Sequence, residues 1–308
     1  MNSAVTSSRV DVATALHSGA RPYQEDCIIA DFSIGRDSGF AVLADGMGAH
    51  ASGDLASKLI VGRVFGLLKA QIDTLETDHS AVQEALLTCV EQANSAIRDH
   101  VRNAPDDRGM GSTLVVLLLL QGNLYWASVG DSPLYVARSG ELIRLNEDHS
   151  MAPRIKAMVA AGQLSAEKAA MHPDRNALTS AIFGAQVARV DCPATPFEMQ
   201  DGDTIILSSD GLQSLRDEEI LKTVRRHGQR SSHQLTEALL EAALDLRRPE
   251  QDNISVIVGK YAAVQQPAHF EPAQTHASPQ PDMSEDSTDV VELDVEEASD
   301  DLLEAMSL

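Results

Sequence analysis

Four aspartates stand where short apolar runs meet polar turns, and glycine is adjacent to three of them. They occur as Ala44-Asp45-Gly46, Gly130-Asp131-Ser132, Ser209-Asp210-Gly211 and Gln251-Asp252-Asn253. Glycine lets the backbone bend sharply or approach a ligand closely. A single Asp-Gly pair most commonly marks a turn, so the argument depends on the four together. If the runs are neighbouring strands, the carboxylates converge, and their repulsion requires raised pKa values or a bound cation.

The donor atoms in these segments are oxygens, without histidine or cysteine beside the aspartates. Such a set favours Mg²⁺ or Mn²⁺ over Zn²⁺. Two such ions would suit phosphoryl hydrolysis, because they can activate a shared water and neutralise charge on the phosphoryl group, with no covalent intermediate. Arg21, taken alone, fits a surface charge better than a binding residue, although its planar guanidinium is suited to gripping a phosphate.

The elements that must position these residues follow from the pattern of apolar residues. Short β-prone runs are predicted at residues 10–16, 27–32 and 40–44, which would open the chain as a β-meander, and then at 114–120, 124–129, 134–137, 142–145, 204–207 and 254–258. Apolar residues at helical spacing predict an antiparallel helix pair at 53–70 and 80–101, a helix broken at Gly162 within 154–170, and helices between 217 and 246. This order indicates an α+β body in which helices cover a β-sandwich.

The formal net charge of −22 argues against a nucleic-acid or anionic-membrane partner, since both need clustered Lys and Arg. Residues 263–308 hold twelve of the acidic side chains and no Lys or Arg, which leaves −10 for the rest of the chain. This tail cannot bury enough apolar surface to offset the entropy of ordering, so we expect it to be disordered. It could bind a basic, grooved partner through interleaved apolar residues such as Leu293 and Leu302, or it could simply aid solubility.

Cysteine usage and the apolar segments bear on the compartment. Three cysteines, Cys27, Cys89 and Cys192, form neither a disulfide pattern nor a ligand pair, which favours a reducing, cytoplasmic setting. No secretory signal is recognisable at the start of the sequence. The most apolar stretch, residues 114–120, is far shorter than the roughly 20 residues of a membrane-spanning helix.

An ordered series of motifs carries a family resemblance. The series comprises residues 19–26, Asp45-Gly46-Met47-Gly48-Ala49-His50, Gly111-Ser112-Thr113, Gly130-Asp131-Ser132, Asp148-His149-Ser150, Ser209-Asp210-Gly211-Leu212 and Asp252-Asn253-Ile254-Ser255-Val256. Between about residues 10 and 261 it resembles the type-2C (PPM) protein phosphatases of the bacterial type. The resemblance implies a central antiparallel β-sandwich flanked by antiparallel helix pairs, an αββα arrangement. It also implies a catalytic domain over residues 1–262, with a flap at about 151–184 where substrates are selected.

The resemblance further implies metal-dependent hydrolysis of phosphoserine and phosphothreonine in proteins, opposing a serine/threonine kinase. Two tight Mn²⁺ or Mg²⁺ ions and a weaker third one would be bound. By motif, Asp45 bridges the two ions, and the Gly46 carbonyl oxygen joins one of them. Asp210 and Asp252 would be ligands of the second ion, and Glu25 and Asp26 would act through water. Asp131 would bind the third ion together with Asp210, and Arg21 would bind the phosphate. Asn253 matches a motif position whose role would be to orient Asp252.

Four departures from the family pattern bear on the mechanism. Met47 replaces a histidine proposed as general acid in eukaryotic members, so metal-bound water would protonate the leaving group. Gln24, Ala49 and Ser180 replace a common Asn, Gly and Arg, and none of the four changes removes a metal ligand. The competing hypothesis is a catalytically weak, phosphatase-like binding or regulatory protein. Retention of a carboxylate at every matched metal position favours the enzyme. His50 and His149 fit structural hydrogen bonding better than ligation.

Overall fold

The computed structural model describes residues 6–33, 36, 38–48 and 52–265. The described ranges contain eleven strands, several of which are almost wholly buried, as the apolar runs predict. They are β1 (Thr6–His17), β2 (Asp26–Phe32), β3 (Ser38–Met47), β4 (Gly111–Ser112), β5 (Leu114–Leu120), β6 (Asn123–Val129), β7 (Leu134–Arg138), β8 (Glu141–Arg144), β9 (Phe197–Glu198), β10 (Thr204–Ser208) and β11 (Ile254–Gln265). The helices are α1 (Ser52–Leu75), α2 (Val82–Asn103), α3 (Ala152–Ala160), α4 (Ala166–Ala170), α5 (Asp217–His227) and α6 (Ser232–Leu244).

In the described ranges the strands form two antiparallel sheets. The first sheet has the order β1-β11-β10-β7-β8, and the second has the order β2-β3-β5-β6-β9, with β4 beside the end of β3. Helices α1 and α2 cover the second sheet, while α5 and α6 cover the first. The result is the four-layered α+β sandwich that the sequence predicts.

The side-chain alternation of β5 shows how two of the apolar layers form. Successive residues of a strand point to opposite faces of its sheet. Val115, Leu117 and Leu119 therefore pack between the two sheets, whereas Leu114, Val116, Leu118 and Leu120 pack against α1 and α2. Because both faces of this strand are covered, its sequence is a continuous apolar run rather than an alternating one.

The first strand corrects one expectation. Residues 10–16 do form a strand, but the predicted opening meander is wrong, because β1 pairs along its whole length with β11 in the other sheet from β2 and β3. Val10 lies opposite Tyr261 and Ala13 opposite Val258. Local apolar runs predict that a strand exists, whereas its partner depends on a segment far along the chain. The two-residue strands β4 and β9 were too short to show any pattern.

The segment 151–184 contains the broken helix that Gly162 predicts. Helix α3 ends before this glycine, which adopts a φ of +70°, and α4 begins after Ser165, whose hydroxyl accepts a hydrogen bond from the Lys168 backbone N–H. Bridges from Ser150 to Leu178 and from Ser112 to Ile182 tie both ends of this flap to the body. No helix within the described ranges is long and apolar enough to cross a membrane. Ala49, His50 and the tail beyond Gln265 lie outside the described residues.

Candidate metal centre

Strand pairing brings the first two carboxylates together. Asp26, at the start of β2, lies directly opposite Asp45, two residues before the end of β3. Directly opposed residues of antiparallel strands have Cα atoms only about 4.5–5.5 Å apart. Asp45 thus stands within the strand rather than just beyond it, and its neighbour in the sheet is a second carboxylate.

The other sheet supplies Asp210 and Asp252. Asp210 begins a 3₁₀ turn just after β10, and Asp252 precedes β11. Ser209 joins the two sheets, because its hydroxyl donates to Asp26 Oδ2 at 2.7 Å, while its backbone N–H donates to Ser255 O at 3.1 Å. The ends of both sheets therefore meet at one acidic centre.

The pKa values report how closely the carboxylates converge. Burial, followed by the charge of Asp26 and then those of the other aspartates, raises the pKa of Asp45 well above its usual range. Burial and the charges of Asp131 and Asp252 raise the pKa of Asp210 to about 7. Burial also raises the pKa of Asp26 to about 6, even though the hydrogen bond from Ser209 lowers it. Each carboxylate here is ionised at a cost that a nearby cation would remove.

Glu25 approaches the centre from a loop that Asn253 organises. The Asn253 side chain accepts from the Glu25 backbone N–H at 2.7 Å and donates to the carbonyl oxygens of Ser18 and Tyr23, each at 2.9 Å. Its own backbone N–H donates to Asp252 Oδ1 at 2.8 Å. Asn253 therefore contacts Asp252 as expected, and its side chain additionally clamps the loop that carries Arg21 and Glu25.

Two glycines allow close packing around Glu25. A Cβ on Gly46 would lie 2.0 Å from Gly53 O, and a Cβ on Gly53 would lie 2.5 Å from Glu25 Oε1. The start of α1 can approach Glu25 only because both positions lack a side chain. Burial raises the pKa of Glu25, the charge of Arg21 lowers it, and the charges of Asp252 and Asp54 raise it further.

Arg21 lies at the mouth of the centre. Its Nη2 atom forms an ion pair with Asp252 Oδ2 at 2.7 Å, and both side chains remain partly exposed, at 51% and 39%. The guanidinium is therefore within reach of a group bound at the carboxylates and of solvent. This position suits a phosphate-binding residue.

Asp131 reaches the centre from the loop after β6. It is 8% exposed, and burial, followed by the charge of Asp148, raises its pKa to about 6 while Arg144 lowers it. Asp131 and Asp210 line one open cavity of about 710 Å³. A Cβ on Gly130, whose φ is +108°, would lie 2.6 Å from the Thr113 side chain, so only glycine permits this turn.

Buried hydroxyls connect the Asp45 strand to the Asp131 loop, a feature that the sequence did not reveal. The Asp45 backbone N–H donates to Thr113 Oγ1 at 3.0 Å, and Thr113 Oγ1 lies 2.9 Å from Ser132 Oγ. Ser112 Oγ donates to Asp45 O at 2.8 Å. The Gly-Ser-Thr and Gly-Asp-Ser motifs mark these residues, but their mutual contact depends on the pairing of distant strands.

His149 has a structural contact rather than a place among the carboxylates. It is 1% exposed, its Nδ1 accepts from the Gly130 backbone N–H at 3.2 Å, and its backbone N–H donates to Gly130 O at 3.0 Å. Burial lowers the pKa of its imidazole. Ser180 stands where the family commonly has an arginine. Its hydroxyl donates a hydrogen bond to the Arg189 carbonyl oxygen and accepts one from the Arg189 backbone N–H, so it has a structural role.

The donor set suits hard, oxygen-coordinated cations. Asp26 Oδ1 is buried without a hydrogen-bond partner among the described residues, so it is a free acceptor directed at its neighbours. In those same ranges, no group of three or more His, Cys, Asp or Glu side chains has a geometry that could hold a metal ion. The fit therefore depends on the all-oxygen chemistry, the orphaned acceptor and the mutual repulsion of the carboxylates, rather than on a preformed cage.

Comparison with known proteins identifies the family of this chain. The family model described as protein phosphatase 2C matches residues 21–246. The serine/threonine protein phosphatase PstP of Mycobacterium tuberculosis (strain CDC 1551 / Oshkosh) is 34% identical over 218 residues, which cover 70% of this chain and 39% of that protein. The serine/threonine phosphatase stp of Listeria monocytogenes serovar 1/2a is 31% identical over 221 residues, covering 70% and 82%.

A solved structure is similar over most of both chains. The crystal structure of the catalytic domain of the serine/threonine protein phosphatase PstP, in complex with two manganese ions, aligns with a TM-score of 0.63 and 28% identity, covering 83% of this chain and 100% of that one. The chain spans only 39% of the full length of the M. tuberculosis protein. The matched family model covers most of the sequence, from the loop of Arg21 to the end of α6, and this chain belongs to the protein phosphatase 2C family.

Proposed function

We propose that this chain hydrolyses phosphoserine and phosphothreonine in proteins at a centre of two Mn²⁺ or Mg²⁺ ions. The observation that carries the proposal is the convergence of Asp26, Asp45, Asp210 and Asp252 from two sheets, with raised pKa values at the three most buried of them. The names of the bacterial relatives and the two manganese ions of the PstP structure support it.

In this proposal the ligands divide between the sheets. Asp45 would be a ligand of both ions, the Gly46 carbonyl oxygen would be a ligand of one of them, and Asp210 and Asp252 would hold the second ion. Glu25 and Asp26 would act through water. Asp131 would share a weaker third site with Asp210, and the charge of Asp131 raises the pKa of Asp210. When bound, the ions supply Lewis-acid activation of the attacking water and neutralise charge on the phosphoryl group.

The chain's own residues position the substrate. Arg21 exchanges part of its contact with Asp252 for the phosphoryl oxygens, and its fork fixes the phosphorus in line with the attacking water. Ser209 and Asn253 hold Asp26, Asp252 and the loop of Glu25 in place. Met47 offers no proton, so water protonates the leaving alkoxide.

We further propose that the substrates are phosphoproteins produced by a serine/threonine kinase in the cytoplasm, and that residues 1–262 form the catalytic body. The unpaired cysteines Cys27, Cys89 and Cys192 support a reducing compartment. The last strand, β11, supports a boundary near residue 262, since it continues to Gln265. For the acidic tail, which this proposal treats as disordered, two roles stay open. It is either a segment that binds a basic partner or a tail that keeps the protein soluble.

The deciding experiment measures phosphate release from phosphothreonine and phosphotyrosine peptides by the purified chain, with Mn²⁺, with Mg²⁺ and with excess EDTA. We expect metal-dependent hydrolysis of the phosphothreonine peptide, a much slower reaction with phosphotyrosine, and no turnover in EDTA. Full turnover in EDTA would rule out the metal mechanism. Tight binding of phosphopeptide without turnover would instead support the phosphatase-like binding protein.

A further inference from the structure

The cavity that contains Asp131 and Asp210 extends to the flap. Its volume is about 710 Å³, and beyond the two aspartates it is lined on the flap side by Lys156, Arg175 and Asn176. Lys156 lies on α3, and Arg175 follows α4. A peptide whose phosphorylated residue lies at the carboxylate centre could therefore continue along this cavity and contact both cations.

These two cations lack partners among the described residues. No ion pair of Lys156 or Arg175 is present there, whereas the nearby Arg144 pairs with Asp148 at 3.3 Å and also donates to Asp131 O at 2.9 Å. On their other side, Lys156 and Arg175 border a second cavity of about 470 Å³, whose remaining lining is mostly apolar, with Asp148 the one carboxylate in it. Asp148 lines both cavities, but its ion pair is with Arg144, so neither flap cation is paired with a carboxylate among the described residues.

The flap is also positively charged in an otherwise acidic chain. Residues 151–184 contain four Lys or Arg and two acidic side chains, a net charge of +2, against −22 for the whole sequence. The opposite wall of the groove carries Asp217 and Glu218 at the start of α5. Tyr135 donates a hydrogen bond to Asp217 at 3.1 Å, and Arg216 beside it is paired with Glu219. The positive charge available to a ligand is therefore on the flap wall.

We propose that Lys156 and Arg175 form a specificity subsite that selects phosphoserine and phosphothreonine segments flanked by acidic residues or by a second phosphate. The proposal rests on the phosphatase function given above and adds the substrate class. A carboxylate or phosphate next to the reacting residue would contact the two cations, whereas a lysine there would be repelled. The contacts are exposed to solvent, so the selectivity weakens as salt is added.

The test compares phosphothreonine peptides of equal length whose flanking positions are aspartate, asparagine or lysine, with the full chain in Mn²⁺. We expect kcat/KM to fall in the order aspartate, asparagine, lysine, by about three- to tenfold from the first to the last, because two exposed ion pairs each contribute modestly. The double variant Lys156→Glu/Arg175→Glu should abolish or invert this order. A melting temperature close to that of the parent chain would show that the double variant is folded.

The matched control is Arg154→Glu/Lys168→Glu, which changes the charge of the flap by the same amount. Both side chains are exposed and line neither cavity, so the order of the three peptides should stay as in the parent chain. The proposal would be overturned if the parent chain hydrolysed the three peptides at equal rates or preferred the lysine peptide. It would also be overturned if both double variants lost the preference for the aspartate peptide to the same extent. Failure of the parent chain to hydrolyse even the asparagine peptide would instead contradict the phosphatase function itself.

Discussion

The carboxylate centre and the flap lie side by side but are built differently. The centre is held by strands of two sheets, by the hydrogen bond that Ser209 donates to Asp26, and by those that Asn253 and Thr113 accept from the backbone of Glu25 and Asp45. The flap is mostly exposed, and in its two helices Ile155 is the one fully buried side chain within the described residues. The carboxylates, which must keep fixed positions, lie where many packed neighbours hold them in place. The exposed side chains of the flap are less constrained, which suits residues that select a partner.

The largest expected effect comes from changing the bridging carboxylate. Asp45→Asn keeps the shape of the side chain but removes the charge that both ions share, so we expect kcat/KM to drop by about a thousandfold, equivalent to about 4 kcal/mol. In EDTA the same variant should melt at a higher temperature than the parent chain, because the raised pKa shows that this buried charge opposes folding. Steady-state rates on a phosphothreonine peptide in Mn²⁺ check the first statement, and differential scanning calorimetry in EDTA checks the second.

An Asp45→Asn protein that melts earlier in EDTA would contradict the electrostatic account of the centre. If it also kept full turnover, the assignment of Asp45 to the metal ions would be wrong. The corresponding change on the flap, Asp174→Asn, concerns an exposed carboxylate outside both cavities and should change neither quantity appreciably.

A smaller effect is expected from the hydroxyl that joins the sheets. Ser209→Ala removes the hydrogen bond to Asp26 Oδ2, and partners of this kind typically contribute about 10–100-fold to metal affinity. Calorimetric titration with Mn²⁺ measures the loss. The matched control is Ser208→Ala, since the adjacent Ser208 is equally buried but its hydroxyl has no partner among the described residues. Equal losses in both variants would show that Ser209 acts only through packing.

Sequence reasoning was most successful within single segments. Alternation and helical spacing predicted the central strands and the covering helices, because those signals are local. It was wrong about β1, whose partner β11 lies more than two hundred residues away, and it did not identify Ser209, Thr113 or Ser132 as contacts. Each of these depends on which strands become neighbours. The motif series indicated the members of the centre, while the pairing of Asp26 with Asp45 and the Arg21–Asp252 contact required the fold.

The junction between the two regions should respond to pH. His149 accepts a hydrogen bond from Gly130 through Nδ1, and its pKa is lowered by burial. Below about pH 6.5 the imidazole binds a proton more readily in the unfolded chain than in the folded chain. The contribution of neutral His149 to stability is therefore lost as the pH falls below that value. We expect the free energy of unfolding of the parent chain, relative to His149→Gln, to decrease between pH 7.5 and pH 5.

Urea unfolding of both proteins at the two pH values gives this difference. The glutamine amide can still accept from the Gly130 N–H, so the variant preserves the contact without a titrating group. The hypothesis fails if the parent chain gains stability relative to the variant on acidification.

The smallest effect concerns the tail. Removal of residues 266–308 deletes twelve acidic side chains but no motif residue, so we expect peptide hydrolysis within about twofold of the full chain, a change below about 0.5 kcal/mol. Steady-state rates on one phosphothreonine peptide check this. The cut is placed after Gln265 because β11 extends to that residue. Loss of Mn²⁺ binding in the shortened chain would show that the tail belongs to the catalytic body.

The pairing of the first strand with the last has a consequence for synthesis of the protein. All twelve residues of β1 find their partners between Ile254 and Gln265, and Asp252 lies just before that strand. A nascent chain still attached to the ribosome therefore holds β1 without its neighbour until nearly all of the described body has been translated. Such long-range pairing slows folding and leaves an unpaired strand exposed. Asp252, a ligand in the proposed metal centre, is among the last residues of the described body to be translated, so a partly made chain lacks part of that centre.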